Sequence, residues 1–172
     1  GHAAALFRSA EDLYSNRLLP ALLDKHSVTT DQLDNDPGSV PSGFRGQERI
    51  AKTLLLSAIA PNVPALRDMT AARLAALNHG SIKTPIAGGE ARLTLGLVRE
   101  WSQKDIPEIT LSEGANPVIR VQLADVDYQS ILDRVRVHDN AGRRRILLRS
   151  LIHQALGVTA GQDDLGGAAT RT

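Results

Sequence analysis

The chain has 172 residues, enough for one full-sized domain or two small ones sharing a core, and its twenty Lys and Arg against nineteen Asp and Glu leave a formal net charge of +1. With no global field pulling the protein onto nucleic acid or an anionic membrane, any such binding has to come from a local patch. The lack of cysteine excludes a disulfide framework and a thiolate metal site and is compatible with a reducing cytoplasm, and no apolar run approaches the roughly 20 residues of a membrane span.

Aromatic residues make up only 3% while Leu, Ala, Ile and Val dominate, which favours helix packing over an aromatic-rich sandwich. Residues 3 to 26 place Leu6, Leu13, Leu18, Leu19, Leu22 and Leu23 at largely helical spacing, with Phe7 and Tyr14 beside them. Pro20 cannot donate to the helical ladder, so a kink is expected there, or a break with Pro20 in the first turn of a second helix. Thr29 and Gln32 fit a capping box for a short helix near 30 to 35. The stretch Asp36-Pro-Gly-Ser-Val-Pro-Ser-Gly43 reads as a loop closing an N-terminal helical unit.

From Gln47 to Ala60 the residues Ile50, Ala51, Leu54, Leu55, Ala58 and Ile59 form one apolar face, ended by Pro61 and Pro64. Thr70 is an N-cap candidate for a helix over Ala71 to Leu77, and Gly80 supplies a left-handed stop. A third helix is expected from about Glu90 to Gln103, with Leu93, Leu97, Val98 and Trp101 facing inward. Arg92, Gly96, Arg99 and Gln103 form an outward stripe. The period then changes from 3.6 to 2: Ile109 and Leu111, then Ile119, Val121 and Leu123, alternate with polar neighbours around the turn Ser112 to Pro117, which predicts a β-hairpin. Asp127 can cap a helix over about 128 to 136, and Asp139 or Asn140 another over about 141 to 156 that ends at Gly157.

Helix, helix, turn, helix, hairpin is the order of a winged helix-turn-helix. The expected fold is therefore mainly α with a small β-hairpin. Its parts are an N-terminal helical unit and loop over 1–43, a winged-helix domain over 44–124, a C-terminal helical pair over 125–157 and a flexible tail over 158–172. The opening Gly1-His2-Ala3, with Met69 as the only methionine, suggests a piece cut from a larger protein.

No catalytic constellation is visible. Gly46-Gln-Glu-Arg-Ile-Ala-Lys-Thr53 has a superficial likeness to a phosphate-binding loop, yet Ala51 stands where glycine is needed, and the segment is helix-patterned, so its amides are committed internally. His2, His26, His79, His138 and His153 show no metal-ligand spacing. Asp24, Asp31, Asp34 and Asp36 cluster around caps and turns, where Asp serves local hydrogen bonding. Two basic features remain. Arg92 and Arg99 lie where a winged helix presents its reading face, and Lys83 and Arg120 could reach phosphates; a solvated helix face is the plainer alternative. Arg143, Arg144 and Arg145 open an expected helix, where cations oppose the macrodipole and call for an acidic partner or neighbouring carboxylates.

The run "RIAKTLLLSAIAPNVPALRDMTAARLAALNHGSIKTPIAGGEA", with "NPVIRVQLADVDYQSIL" and "DNAGRRRILLRSLI", resembles the large P-loop ATPase subunits of bacterial Pgl/BREX phage-resistance systems. The resemblance covers about Leu6 to Gly157, and its most specific parts are "LTxxRLAALNHG", with Met69 in place of the first Leu, and "NPVI". It implies a fragment downstream of the nucleotide-binding core, with lid-like N-terminal helices followed by the winged helix. ATP and magnesium are implied for the full-length protein, but the family's phosphate- and magnesium-binding motifs are absent from these residues, so no cofactor and no ATP hydrolysis are expected of this chain. Arg45 or Arg49 could be lent by such a lid to a nucleotide held by the core. The partners expected are duplex DNA, other phage-defence subunits and the parent ATPase core, with no membrane. The alternative is a purely protein–protein docking module in which the winged helix is scaffold and Arg143 to Arg145 meet an acidic surface.

Overall fold

A computed structural model describes residues 1–104 and 106–123, a mainly helical arrangement with a small two-stranded antiparallel sheet. The helices expected over 128–136 and 141–156, with Arg143, Arg144 and Arg145, and the tail lie outside the described residues.

Helix α1 (His2–Leu13) runs through one π-helical segment, Tyr14–Leu18, into α2 (Leu19–His26). Pro20 sits in the first turn of α2, directly after the π segment, and the chain neither stops nor restarts there. The wider π turn lets Leu13, Tyr14, Leu18 and Leu22 all reach the core. Ser27 adopts a left-handed conformation that ends α2, and Thr29 then opens α3 (Thr30–Asn35) with both bonds of a capping box. Its Oγ1 accepts from the Gln32 amide at 3.2 Å, and Gln32 Oε1 accepts from the Thr29 amide at 2.9 Å.

Helix α4 spans Ser42–Ile59 and begins five residues before the expected Gln47. The difference lies in Phe44, which is fully buried. Burying such a side chain contributes roughly 1.5–3 kcal/mol, enough to offset about 1 kcal/mol of helix propensity lost at each of Gly43 and Gly46. Gly46 is also required for another reason: a Cβ there would fall on the carbonyl oxygen of Ser81, so the turn after the next helix can cross α4 only where α4 has no side chain.

That next helix, α5 (Ala71–Leu77), is capped by Thr70 Oγ1, which accepts from the Arg73 amide at 3.3 Å, and Gly80 follows with φ of +79°. A buried polar pair ties α5 to α4. The Thr53 hydroxyl lies 3.0 Å from the Arg49 carbonyl and 3.1 Å from Asn78 Oδ1, and Asn78 Nδ2 donates to the Leu74 carbonyl at 2.9 Å.

Helix α6 (Gly89–Lys104) packs on α5. Its inner face differs from the sequence expectation by one residue: Thr94 is fully buried with Leu97, Val98 and Trp101, whereas Leu93 is 44% exposed. Strands β1 (Ile109–Leu111) and β2 (Ile119–Val121) pair Ile109 with Val121, Thr110 with Arg120 and Leu111 with Ile119, so the apolar residues face the core and Thr110 and Arg120 face out. Thr70 adds one antiparallel bridge to Val118, and the Ile119 amide donates to the Met69 carbonyl at 2.7 Å. One hydrophobic core runs from Leu13 and Leu18 through Phe44, Ile50 and Leu54 to Leu74, Val98 and Ile119.

Gly46→Ala should lose about 1–3 kcal/mol in urea denaturation because backbone must move, while Gly96→Ala, in open space on α6, should gain about 0.5–1 kcal/mol. Thr94 Oγ1 is buried with no hydrogen-bond partner among the described residues. Thr94→Val should therefore raise stability by about 1 kcal/mol, and a fall would show that the hydroxyl is bonded.

Candidate functional site

The four residues Arg92, Gly96, Arg99 and Gln103 recur every three to four positions of α6 and are all exposed, opposite the buried Thr94, Leu97, Val98 and Trp101. The helix is fixed on several sides. Besides its packing on α5, Ser102 Oγ donates to the Ile109 carbonyl at 2.8 Å, holding α6 to the hairpin, and Lys25 Nζ reaches Glu100 Oε2 at 2.9 Å, holding it to α2.

The same contacts settle where the acids of α6 go. Glu90 lies 3.5 Å from His79 Nδ1, and Glu100 is held by Lys25 and, at 3.6 Å, by Lys104. The hydrogen bond from Lys25 holds the Glu100 carboxyl below its ordinary value of 4.5; partial burial opposes this, and the charges of Lys25 and Lys104 reinforce it. Neither carboxylate belongs to the outward stripe, so Arg92 and Arg99, about 10 Å apart along the axis, stand there without an acidic residue between them. Neither has an ion pair among the described residues.

The other two sequence candidates are placed elsewhere. Exposed Lys83, in the turn that crosses Gly46, lines a recess with Lys25, Arg45, Arg49 and the Leu93 and Leu97 flank of α6. Arg120, on the outer face of β2, lines a separate groove with Arg67, Asp68 and Ser57. Arg92 and Arg99 thus share one helix face, Lys83 is gathered with Arg45 and Arg49, and Arg120 is absent from the Lys83 recess. Lys25 was not singled out from the sequence. It lies far along the chain from the other cations of the recess, and no spacing rule links residues that only tertiary packing brings together.

The stretch Gly46–Thr53 lies wholly inside α4, with its glycine used for the crossing of Ser81. Among the described residues no cluster of His, Asp and Glu could hold a metal ion, and no helix is long and apolar enough to cross a membrane.

These features define a small helical domain that backs one helix with a two-stranded sheet and turns that helix's arginines outward. The family model described as the second domain of the BREX system ATPase PglY protein matches residues 1–115, and the chain belongs to that family. The matched stretch carries the elements from α1 through β1 and the turn after it. No solved structure matches the chain.

The Lys25–Glu100 pair gives a pH test. A depressed carboxyl contributes stability that is complete above its ordinary value of 4.5 and is lost as pH falls through the lower folded value. Glu100→Gln should lower Tm slightly at neutral pH, and the gap from the wild-type chain should begin to close below 4.5. A gap independent of pH would assign the effect to packing instead.

Proposed function

We propose that this domain is a non-catalytic winged-helix module of a phage-defence ATPase that engages duplex DNA through the outer face of α6. The observation that carries the reading is the Arg92, Gly96, Arg99, Gln103 stripe, whose arginines have no ion pair among the described residues, while Glu90 and Glu100 lie off the stripe and are paired elsewhere. Gly96 between the arginines leaves room for a close approach to a nucleic-acid backbone.

The order α4, α5, α6, β1, β2 supports the winged-helix reading. So does the bridge of Thr70 to Val118, which adds a third short strand segment ahead of α5. Nucleotide chemistry is left to the rest of the ATPase, since the phosphate-binding and magnesium-binding motifs are absent from this chain. Family membership favours partners within the defence complex.

A docking reading has its own observation. Leu93 on α6 and Ile86 in the preceding turn are 44% and 57% exposed, an apolar flank suited to a protein surface. Here Arg143, Arg144 and Arg145 would add charge, and reversing them should abolish capture of defence subunits without altering duplex affinity.

Duplex binding should fall steeply with salt, and Arg92→Ala with Arg99→Ala should weaken it and reduce the salt slope by about 2, one unit for each phosphate contact. Undetectable duplex binding at low ionic strength, or binding insensitive to salt, would overturn the DNA reading in favour of docking.

A further inference from the structure

The recess that contains Lys83 is distinct from the outward face of α6. It is bounded by α2, the start of α4, the 80–83 turn and the flank of α6, and this concavity, open to solvent on one side, measures about 670 Å³. That lies within the roughly 300–1,000 Å³ of small-molecule sites. Lys25, Arg45, Arg49 and Lys83 line it, and no carboxylate among the described residues does.

Two of these cations are already engaged from outside the lining. Lys25 bonds Glu100, and Arg45 lies 3.8 Å from Glu48 and donates to the Pro37 carbonyl at 3.2 Å. Arg49 and Lys83 have no ion pair among the described residues. Arg49 and Lys83 thus bring two like charges to one concavity with no paired carboxylate among the described residues, and an anion placed between them would offset their repulsion. Val40, Ile82, Leu93 and Leu97 add aliphatic surface to the lining, beside the polar Ser42, Gln47 and Ser81. Charge on one part of the lining and aliphatic surface on another suit a ligand with phosphates at one end and an organic body at the other.

We infer that this recess binds a phosphorylated small molecule of nucleotide size, its phosphates among Arg45, Arg49 and Lys83 and its body against Leu93 and Leu97. The exposure of Leu93 then has a cause, because a side chain withdrawn into the core could not form the wall. A concave pocket walled by several elements favours a small molecule, whereas a duplex backbone is met more readily by the projecting outer face of α6. The inference stands whether or not that outer face meets DNA.

The test is to titrate the 172-residue chain with inorganic pyrophosphate and, separately, with ADP, both without divalent metal. Binding is read from the backbone amide resonances of Gly43, Gly46, Gly80 and Ile82. The fluorescence of Trp101, one turn beyond Leu97, gives a second readout. Saturable shifts at these amides are expected, with ADP binding more tightly than pyrophosphate because only ADP meets the apolar wall. Arg49→Ala with Lys83→Ala should weaken ADP binding about tenfold or more, and Arg92→Ala with Arg99→Ala should leave it unchanged. If the first double variant fails to fold, Lys83→Ala alone, in an exposed turn, should still weaken binding. Shifts that do not saturate by about 10 mM ADP, or an affinity unaffected by loss of Lys83, would overturn the inference. It would equally be overturned if a short duplex perturbed these amides where ADP did not.

Discussion

Because Gly46 carries no side chain, the carbonyl of Ser81 can lie directly against α4, and the arrangement of the later elements depends on that crossing. The crossing sets how far the turn after α5 approaches the central helix, and with it where α6 begins. The Thr53–Asn78 pair secures the same junction from within, giving α5 a fixed position on α4 rather than a generic apolar contact. Phe44 anchors the N-terminal turn of α4 in the core, so that Gly46 falls under Ser81. A larger residue at 46 would lift the turn, and with it Lys83, away from Arg45 and Arg49.

The electrostatics of the domain follow from packing of this kind rather than from composition. A net charge of +1 describes a chain with nearly balanced signs, yet the signs are sorted in space. Glu48 is engaged by Lys52 at 3.0 Å and accepts a hydrogen bond from Tyr14 at 2.6 Å, while Glu100 serves Lys25 and Lys104. Burial first, and the neighbouring Glu48 charge second, push the Tyr14 phenol far above its ordinary range, so it remains a neutral donor to that carboxylate. These carboxylates are thereby engaged away from the outer stripe of α6, and Arg92 and Arg99 have no ion pair among the described residues. The outer stripe of α6 and the recess beneath Lys83 are both products of that sorting.

Much of the local structure was legible because it depends on near neighbours. The capping box at Thr29 and Gln32, the Thr70 cap, and the alternation of Ile109, Leu111, Ile119 and Val121 each rest on residues a few positions apart. The outward direction of Arg92 and Arg99 was legible for the same reason. Leu93 and Thr94 show the limit. Hydrophobicity alone assigns leucine inward, but α6 is rotated by its contacts to α5, to Ile109 through Ser102 and to Lys25 through Glu100, and the rotation buries the threonine. The early start of α4 and the single Thr70–Val118 bridge were illegible because a buried Phe44 and a one-pair ladder leave no periodic trace.

The sequence by itself determined the mainly helical class, the order of elements through the hairpin and the faces of the regular segments apart from Leu93 and Thr94, since helical and strand periods are properties of consecutive residues. It also carried the resemblance that the family match bears out. Only the tertiary structure decided which charges cancel and which remain, and that Lys25, Arg45, Arg49 and Lys83 share one recess. Those outcomes depend on distances between segments remote in sequence, fixed by how α2, α4 and α6 pack.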